Sequence, residues 1–200
     1  MLSLPVLADY TLAVFGDSLS AGYRLLTKDA FYSQLENALR GKGYDVSVLH
    51  ASKSGETTGG GLIRQQELLD KKPDGVILEL GINDAIQNVD LRVTENNLRE
   101  LIDNFQSQQI SVLLVGMKAP LDKSAVYREQ FENMYQRLAD EYQLPLYPFF
   151  MEKMFMGDNP MREKFLSDGA HPNPEGIAAM TTGVLPIVEE FLKQQGIYPN

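Results

Sequence analysis

Residues 14–24 read VFGDSLSAGYR, and the fold turns on how this stretch is read. Thr11 to Phe15 is apolar and rich in β-branched and aromatic side chains, the composition of a buried strand. Gly16 stops the run, and Asp17 and Ser18 are residue types that hydrogen-bond locally at turns and helix starts. A serine there stands at the carboxyl end of a strand, the edge of an open α/β sheet where ligands bind. Ser18 either caps a helix or attacks a substrate, and the rest of the chain must decide.

Outward from this stretch, strand and helix patterns alternate. Phe31, Leu35, Ala38 and Leu39 recur at helical spacing, ended by Gly41 and Gly43. Val46 to Leu49 is a second strand, and a glycine-rich loop leads to a helix over Leu62 to Leu69. Gly75 to Leu80 is a third strand that stops at the sequence GIND. Leu98, Leu101, Ile102 and Phe105 mark the next helix. Ser111 to Met117 is a fourth strand of continuous apolar character, as expected of a strand buried on both faces. Tyr127, Phe131, Met134, Tyr135, Leu138 and Tyr142 line a long amphipathic helix, and LYPFF after Pro145 is a short fifth strand. Asn173 caps the last helix and Pro174 opens it, with Gly183 and Pro186 expected to kink or break it. The pattern predicts a three-layer α/β/α sandwich around a five-stranded parallel sheet. No linker, repeat or low-complexity segment divides it, so residues 1–200 read as one domain.

The chain of 200 residues is 44% hydrophobic, enough for one substantial core. No stretch reaches the length of a membrane span, so no stable membrane insertion is expected. A net charge of −9 leaves no basic stripe to neutralise phosphates and argues against nucleic acid. It also speaks against a polyanionic substrate, unless local charge at a cleft overrides the average. The absence of cysteine excludes disulfides, thiol catalysis and cysteine-ligated metals. Residues 1–8 resemble the end of a secretory signal, with Val6 and Ala8 at the small-residue cleavage positions. They have no positively charged start, and a disordered leader is the alternative.

In a parallel sheet the loops after the strands meet at one edge. Here those loops carry GDS, SKSGET, GIND and KAPLD, with SDGAHPN between the fifth strand and the last helix. His171 follows Asp168 by three positions, close enough to share a hydrogen bond that fixes the imidazole tautomer and frees its other nitrogen to take a serine's proton. On its own, DGAHPN also reads as a polar turn into a helix. His50, at the end of the second strand, is the competing base, or else a structural polar residue bonded to a loop. SGETTGGG has the look of a phosphate cradle but lacks the Gly-Lys-Ser/Thr of a P-loop.

Together these blocks resemble the SGNH, or GDS-type, hydrolases: Gly16-Asp17-Ser18, then Gly55, then Gly81-x-Asn83-Asp84, then Asp168-x-x-His171, in order and over nearly the whole chain. The likeness is strongest to the branch with thioesterase, arylesterase and lysophospholipase activities. Ile82 and His50 depart from it, standing where that branch carries glycine and asparagine. The resemblance implies a flavodoxin-like sheet and a serine esterase acting on aryl esters, short- to medium-chain acyl esters, lysophospholipids or acyl thioesters through an acyl-enzyme. It implies Ser18 as nucleophile, His171 as base and then acid, and Asp168 as the orienting carboxylate. The oxyanion hole would be the backbone N–H groups of Ser18 and Gly55 with the Asn83 amide, while Asp17 and Asp84 tie down their loops. Position and apolarity place the acyl tail against Ile82, Ala119, Pro120 and Leu121. The expected molecule is a periplasmic or secreted monomer (otherwise cytoplasmic), needing no metal or cofactor, whose partner is a small acyl-ester substrate. A carbohydrate O-deacetylase is the alternative within the superfamily. A phospho-receiver-like signalling domain is the alternative outside it, weakened because Glu79 stands where a receiver needs aspartate.

Overall fold

Strands with no polar face need cover on both sides, and the fold supplies it. The computed structural model describes residues 10–200; the leader proposed for residues 1–8 lies outside them. Five parallel strands form the sheet: β1 (Tyr10–Gly16), β2 (Val46–His50), β3 (Gly75–Glu79), β4 (Ser111–Val115) and β5 (Leu146–Tyr147), in the order β2-β1-β3-β4-β5. Every residue of β3 is buried. The helices are α1 (Ser18–Ala21), α2 (Phe31–Gly41), α3 (Thr58–Leu69), α4 (Ile82–Ile86), α5 (Leu91–Ser107), α6 (Ala125–Tyr142) and α7 (Pro174–Gln194). α2 packs with α7, while α3 and α6 pack against α5, giving the expected three layers. Leu35, Leu39, Val184, Val188 and Phe191 fill one interlayer core, and Leu98, Leu101, Ile102, Phe105 and Phe131 belong to the other helices' buried faces.

Strand order reverses between β1 and β3. Helices leave this point toward opposite faces, opening the crevice in which doubly wound sheets bind ligands. The register sets Gly16 beside Glu79 and Val14 beside His50. The loops carrying Ser18 and Asn83 therefore issue from adjacent strands.

Three local expectations are corrected. α3 begins at Thr58, four residues before the apolar stripe, because Thr57 caps it by accepting from the Gly60 N–H. The glycines of its first turn serve packing: a Cβ on Gly61 would lie 2.7 Å from Leu80 and 3.3 Å from Phe15. α7 runs unbroken through Pro186. Both Pro186 and Thr182, whose carbonyl loses its partner, are exposed, so the lost bond falls on the solvent side of the helix. The fifth strand is two residues long, stopped by Pro148, which has no N–H for the ladder. Beyond it, Phe155–Met156 (β6) and Asn159–Pro160 (β7) form a small antiparallel hairpin that the sequence pattern did not reveal.

Candidate active site

Asp17 follows β1 and caps α1, its carboxylate Oδ1 accepting from the Leu19 N–H at 2.9 Å. That cap makes Ser18 the first residue of a helix and turns its side chain toward the loop before α7. There His171 Nε2 lies 3.1 Å from Ser18 Oγ. His171 Nδ1 lies 3.0 Å from Asp168 Oδ2, while Asp168 Oδ1 accepts the backbone N–H groups of Ala170 and His171, each at 3.0 Å. Those two backbone bonds, followed by the imidazole, hold the Asp168 carboxyl down at about 2. It is therefore a carboxylate at neutral pH, and an acceptor only. With Asp168 accepting at Nδ1, the tautomer that satisfies both contacts carries its proton on Nδ1 and presents a lone pair at Nε2. Tyr23, unnoticed in the sequence, packs its ring 4.3 Å from the imidazole and limits its tilt.

His50 is elsewhere. Its ring stacks on Tyr32 at 4.3 Å and 13°, and Nδ1 faces the Ser52 N–H at 3.5 Å. Burial, with Arg64 and Lys71 nearby, lowers its pKa. Of the two histidines, His171 is the one in contact with Ser18.

The three residues expected to form an oxyanion hole differ in their surroundings. Among the described residues, the backbone N–H groups of Ser18 and Gly55 meet no protein acceptor. Gly55 is exposed, with φ +78° and nothing within 4 Å of where a Cβ would stand. Its glycine thus answers to the left-handed backbone rather than to a close protein neighbour. Asn83 Nδ2 is already engaged, donating to Asp17 Oδ2 and to the Glu56 carbonyl, both at 3.0 Å. The amide therefore ties the loops after β1, β2 and β3 together.

Two further groups brace these loops. Asp84 accepts from the Thr58 N–H at 2.8 Å and from the Thr58 hydroxyl at 2.5 Å, fastening the start of α3 to α4. Arg64 was missed in the sequence because a helical arginine is usually a solvated one. Here it pairs with Glu56, donates to the carbonyls of Ala51 at 2.6 Å and Gly16 at 3.3 Å, and lies over the Phe15 ring at 4.0 Å.

Below the turn that carries Ser18 is a buried carboxyl pair. Glu79 is fully buried and accepts from Ser20 Oγ at 3.0 Å and the Asp17 N–H at 3.3 Å through one oxygen, while its other oxygen has no partner. Burial, then repulsion from Asp17, pushes it well above the usual carboxylate range. Burial likewise pushes Asp17 up to about 7, against the opposing hydrogen bond from Leu19. A receiver-type phosphorylation site needs an accessible acid at this strand end, and Glu79 is not one.

Ser18, Asn83 and His171 open into a cavity of about 630 Å3. Ile82, Ala119, Pro120 and Leu121 all line it. So do Met117 and Phe149, which the sequence pattern places in strands, and Phe155 and Phe165, to which it gives no role. The hairpin's turn signal, Gly157-Asp158-Asn159, is visible in the sequence, but nothing local shows that Phe155 faces the site. Among the described residues no helix is long and apolar enough to cross a membrane.

Comparison with known proteins agrees with this architecture. The GDSL-like Lipase/Acylhydrolase family matches residues 14–179. An arylesterase of Vibrio mimicus is 35% identical over 195 residues, covering 97% of this chain and 92% of its own. Thioesterase 1/protease 1/lysophospholipase L1 of Escherichia coli K12 is 36% identical over 174 residues, covering 86% and 80%. A solved structure of the psychrotrophic esterase EstA from a Pseudoalteromonas species, inhibited by monoethylphosphonate, superposes with a TM-score of 0.85 at 26% identity, covering 92% of this chain and all of that one.

Proposed function

The chain belongs to the GDSL-like lipase/acylhydrolase family, the SGNH hydrolases, and we propose that it is a serine esterase cleaving carboxylic esters or thioesters of acyl chains through an acyl-enzyme. One observation carries this reading: the Ser18–His171–Asp168 relay opens into a cavity walled mainly by apolar side chains. A serine hydroxyl is a weak nucleophile until a base removes its proton. In the proposed step His171 Nε2 takes that proton as Ser18 Oγ bonds to the acyl carbon. Asp168 stabilises the resulting imidazolium through Nδ1–H without itself becoming protonated. The carbonyl oxygen gains negative charge, which the Ser18 and Gly55 N–H groups and the Asn83 amide would meet. Collapse breaks the bond to the leaving alcohol or thiol, which receives the proton from His171. Water then attacks the acyl-enzyme by the same route, releasing the acid and restoring Ser18.

The apolar wall supports an acyl chain over an acetylated sugar, because a carbohydrate site needs polar groups along its length. The test is covalent. A fluorophosphonate should label the wild-type chain once, on Ser18 by peptide mass mapping, and Ser18→Ala should abolish both labelling and hydrolysis of aryl esters. Labelling that persists in the alanine variant would overturn the assignment. A series of aryl esters from acetate to decanoate, beside an acetylated xylo-oligosaccharide, then reads the acyl preference. The best rates are expected on chains longer than acetate.

A further inference from the structure

Four charged side chains line the cavity, and three of them are accounted for. Lys118 pairs with Asp158 at 3.3 Å, and Glu132 is exposed to solvent. The fourth, Arg128, is half-buried near the start of α6. Among the described residues it forms no ion pair within 4 Å, and its Nε is shut off from solvent without an acceptor. Desolvating part of a guanidinium without a partner is unfavourable. The buried Nε leaves the two terminal nitrogens, which have no protein partner among the described residues, as the edge that can meet a ligand in the cavity, and that edge suits a carboxylate or phosphate in a bidentate pose.

Place in the fold says which part of a substrate meets it. Ser18 follows β1, Ile82 follows β3, and Ala119 to Leu121 follow β4, in that spatial order. Arg128 enters the cavity from α6, just beyond the β4 loop. Two strand spacings put that loop roughly 10 Å from the nucleophile's strand. The intervening wall is apolar: Ile82, Ile86, Ala119 and Pro120. On a chain of net charge −9, a local cation is also what would let an anionic substrate approach.

We propose that Arg128 binds an anionic group carried on the acyl part of the substrate, at the far end of the channel from Ser18. The inference rests on the esterase reading and names its substrate class: esters or thioesters of acyl chains bearing a carboxylate or similar anion. Nothing about the bond-breaking step changes. Because the contact forms in the ground state and persists to the transition state, it acts chiefly on KM.

The experiment compares two pairs of esters at matched length. The first pair is mono-p-nitrophenyl suberate against p-nitrophenyl octanoate, with the anion on the acyl side. The second is 4-carboxyphenyl octanoate against phenyl octanoate, with the anion on the leaving group. In the first pair, kcat/KM for the anionic ester relative to the neutral one should fall about tenfold or more in Arg128→Gln, through KM. The wild-type ratio should also shrink when salt rises from ~0.05 M to ~0.5 M. Arg128→Lys should restore part of it. A residue that only holds the fold would change both esters of a pair alike and leave the ratio fixed, which overturns the proposal. So does a response confined to the second pair, which would place the anion on the leaving group. A wild-type ratio that becomes Arg128-dependent only in Glu132→Gln means that Glu132 neutralises Arg128, and it also overturns the proposal. Hydrolysis of the neutral octanoate by the wild type reports separately on the esterase reading.

Discussion

At the scale of single residues, Asn83 carries two jobs that chemistry can separate. Its amide already donates to Asp17 and to the Glu56 carbonyl, so its contribution to loop geometry is visible in the structure. Its proposed second job, donating to the oxyanion, requires one of those bonds to be shared as charge develops on the substrate. Asn83→Ala should therefore show two effects. The lost bracing should lower stability by about 1–3 kcal/mol, the worth of two ordinary hydrogen bonds. The lost donor should lower kcat by about 10²- to 10³-fold with KM nearly unchanged. Steady-state kinetics and a melting curve on the same variant read both. A lowered melting temperature beside an unchanged kcat would leave Asn83 as a brace alone. Residues of this kind explain why much of the site was legible in sequence. Ser18, Asp168 and His171 were named from their blocks, and one hydrogen-bonded relay joins them. The Asn83 contacts were not legible, because its partners come from two other loops and no spacing rule links them. Arg64 and Tyr23 were hidden for the same reason.

At the scale of elements, helical periodicity, capping residues and apolar runs marked every principal helix and sheet strand, while they misjudged where some of them begin and end. The early start of α3 is a case where capping by Thr57 and packing at Gly61 outweigh glycine's poor helix propensity. The hairpin β6–β7 is a case of elements too short for any period to register. α7 is more instructive, since Gly183 and Pro186 are expected to kink or break it and no break occurs. Proline removes one backbone bond and crowds the preceding turn, at a cost of about 3 kcal/mol relative to alanine in a helix interior. Twenty-one residues of helix, with Ile177, Met180, Val184, Val188, Phe191 and Leu192 buried, outweigh that local cost. Pro186 itself is exposed and contributes no burial in return. Pro186→Ala should therefore raise stability by about 2 kcal/mol, the helix gain being offset in part by a more flexible unfolded chain. Urea denaturation would show this as a higher midpoint at unchanged slope. An unchanged or lower midpoint would mean that the backbone geometry set by Pro186 is itself required for packing on α2.

At the scale of the whole molecule, the acidic balance and the buried carboxyl pair both bear on how stability responds to pH. A surface with net charge −9 repels itself more as its acids ionise. That repulsion is screened by salt. The pair formed by Asp17 and Glu79 joins β1 to β3 in a part of the core that salt does not reach. The sign of its effect follows from the raised folded-state values: Asp17 goes from 3.8 to about 7, and Glu79 moves well above 4.5. Between the unfolded and folded values the native state holds more protons than the unfolded chain. The pair's contribution is thus fully present below about pH 4 and is lost as pH rises through 7. Glu79→Gln removes the more strongly shifted of the two acids, the one that burial and repulsion from Asp17 push up, while an amide oxygen remains to accept from Ser20 and Asp17. The variant starts with a handicap at low pH, since its amide N–H group would occupy the position where Glu79 Oε1 has no partner. Its melting temperature relative to the wild type should then climb steadily from pH 4 to pH 8, the pair's window. The climb should be nearly the same at ~0.05 M and ~0.5 M salt, whereas the part of the pH response shared by both proteins should flatten at high salt. A difference that stays constant with pH would show that Glu79 does not titrate in this window. A difference that vanishes at high salt would assign the whole pH response to the surface.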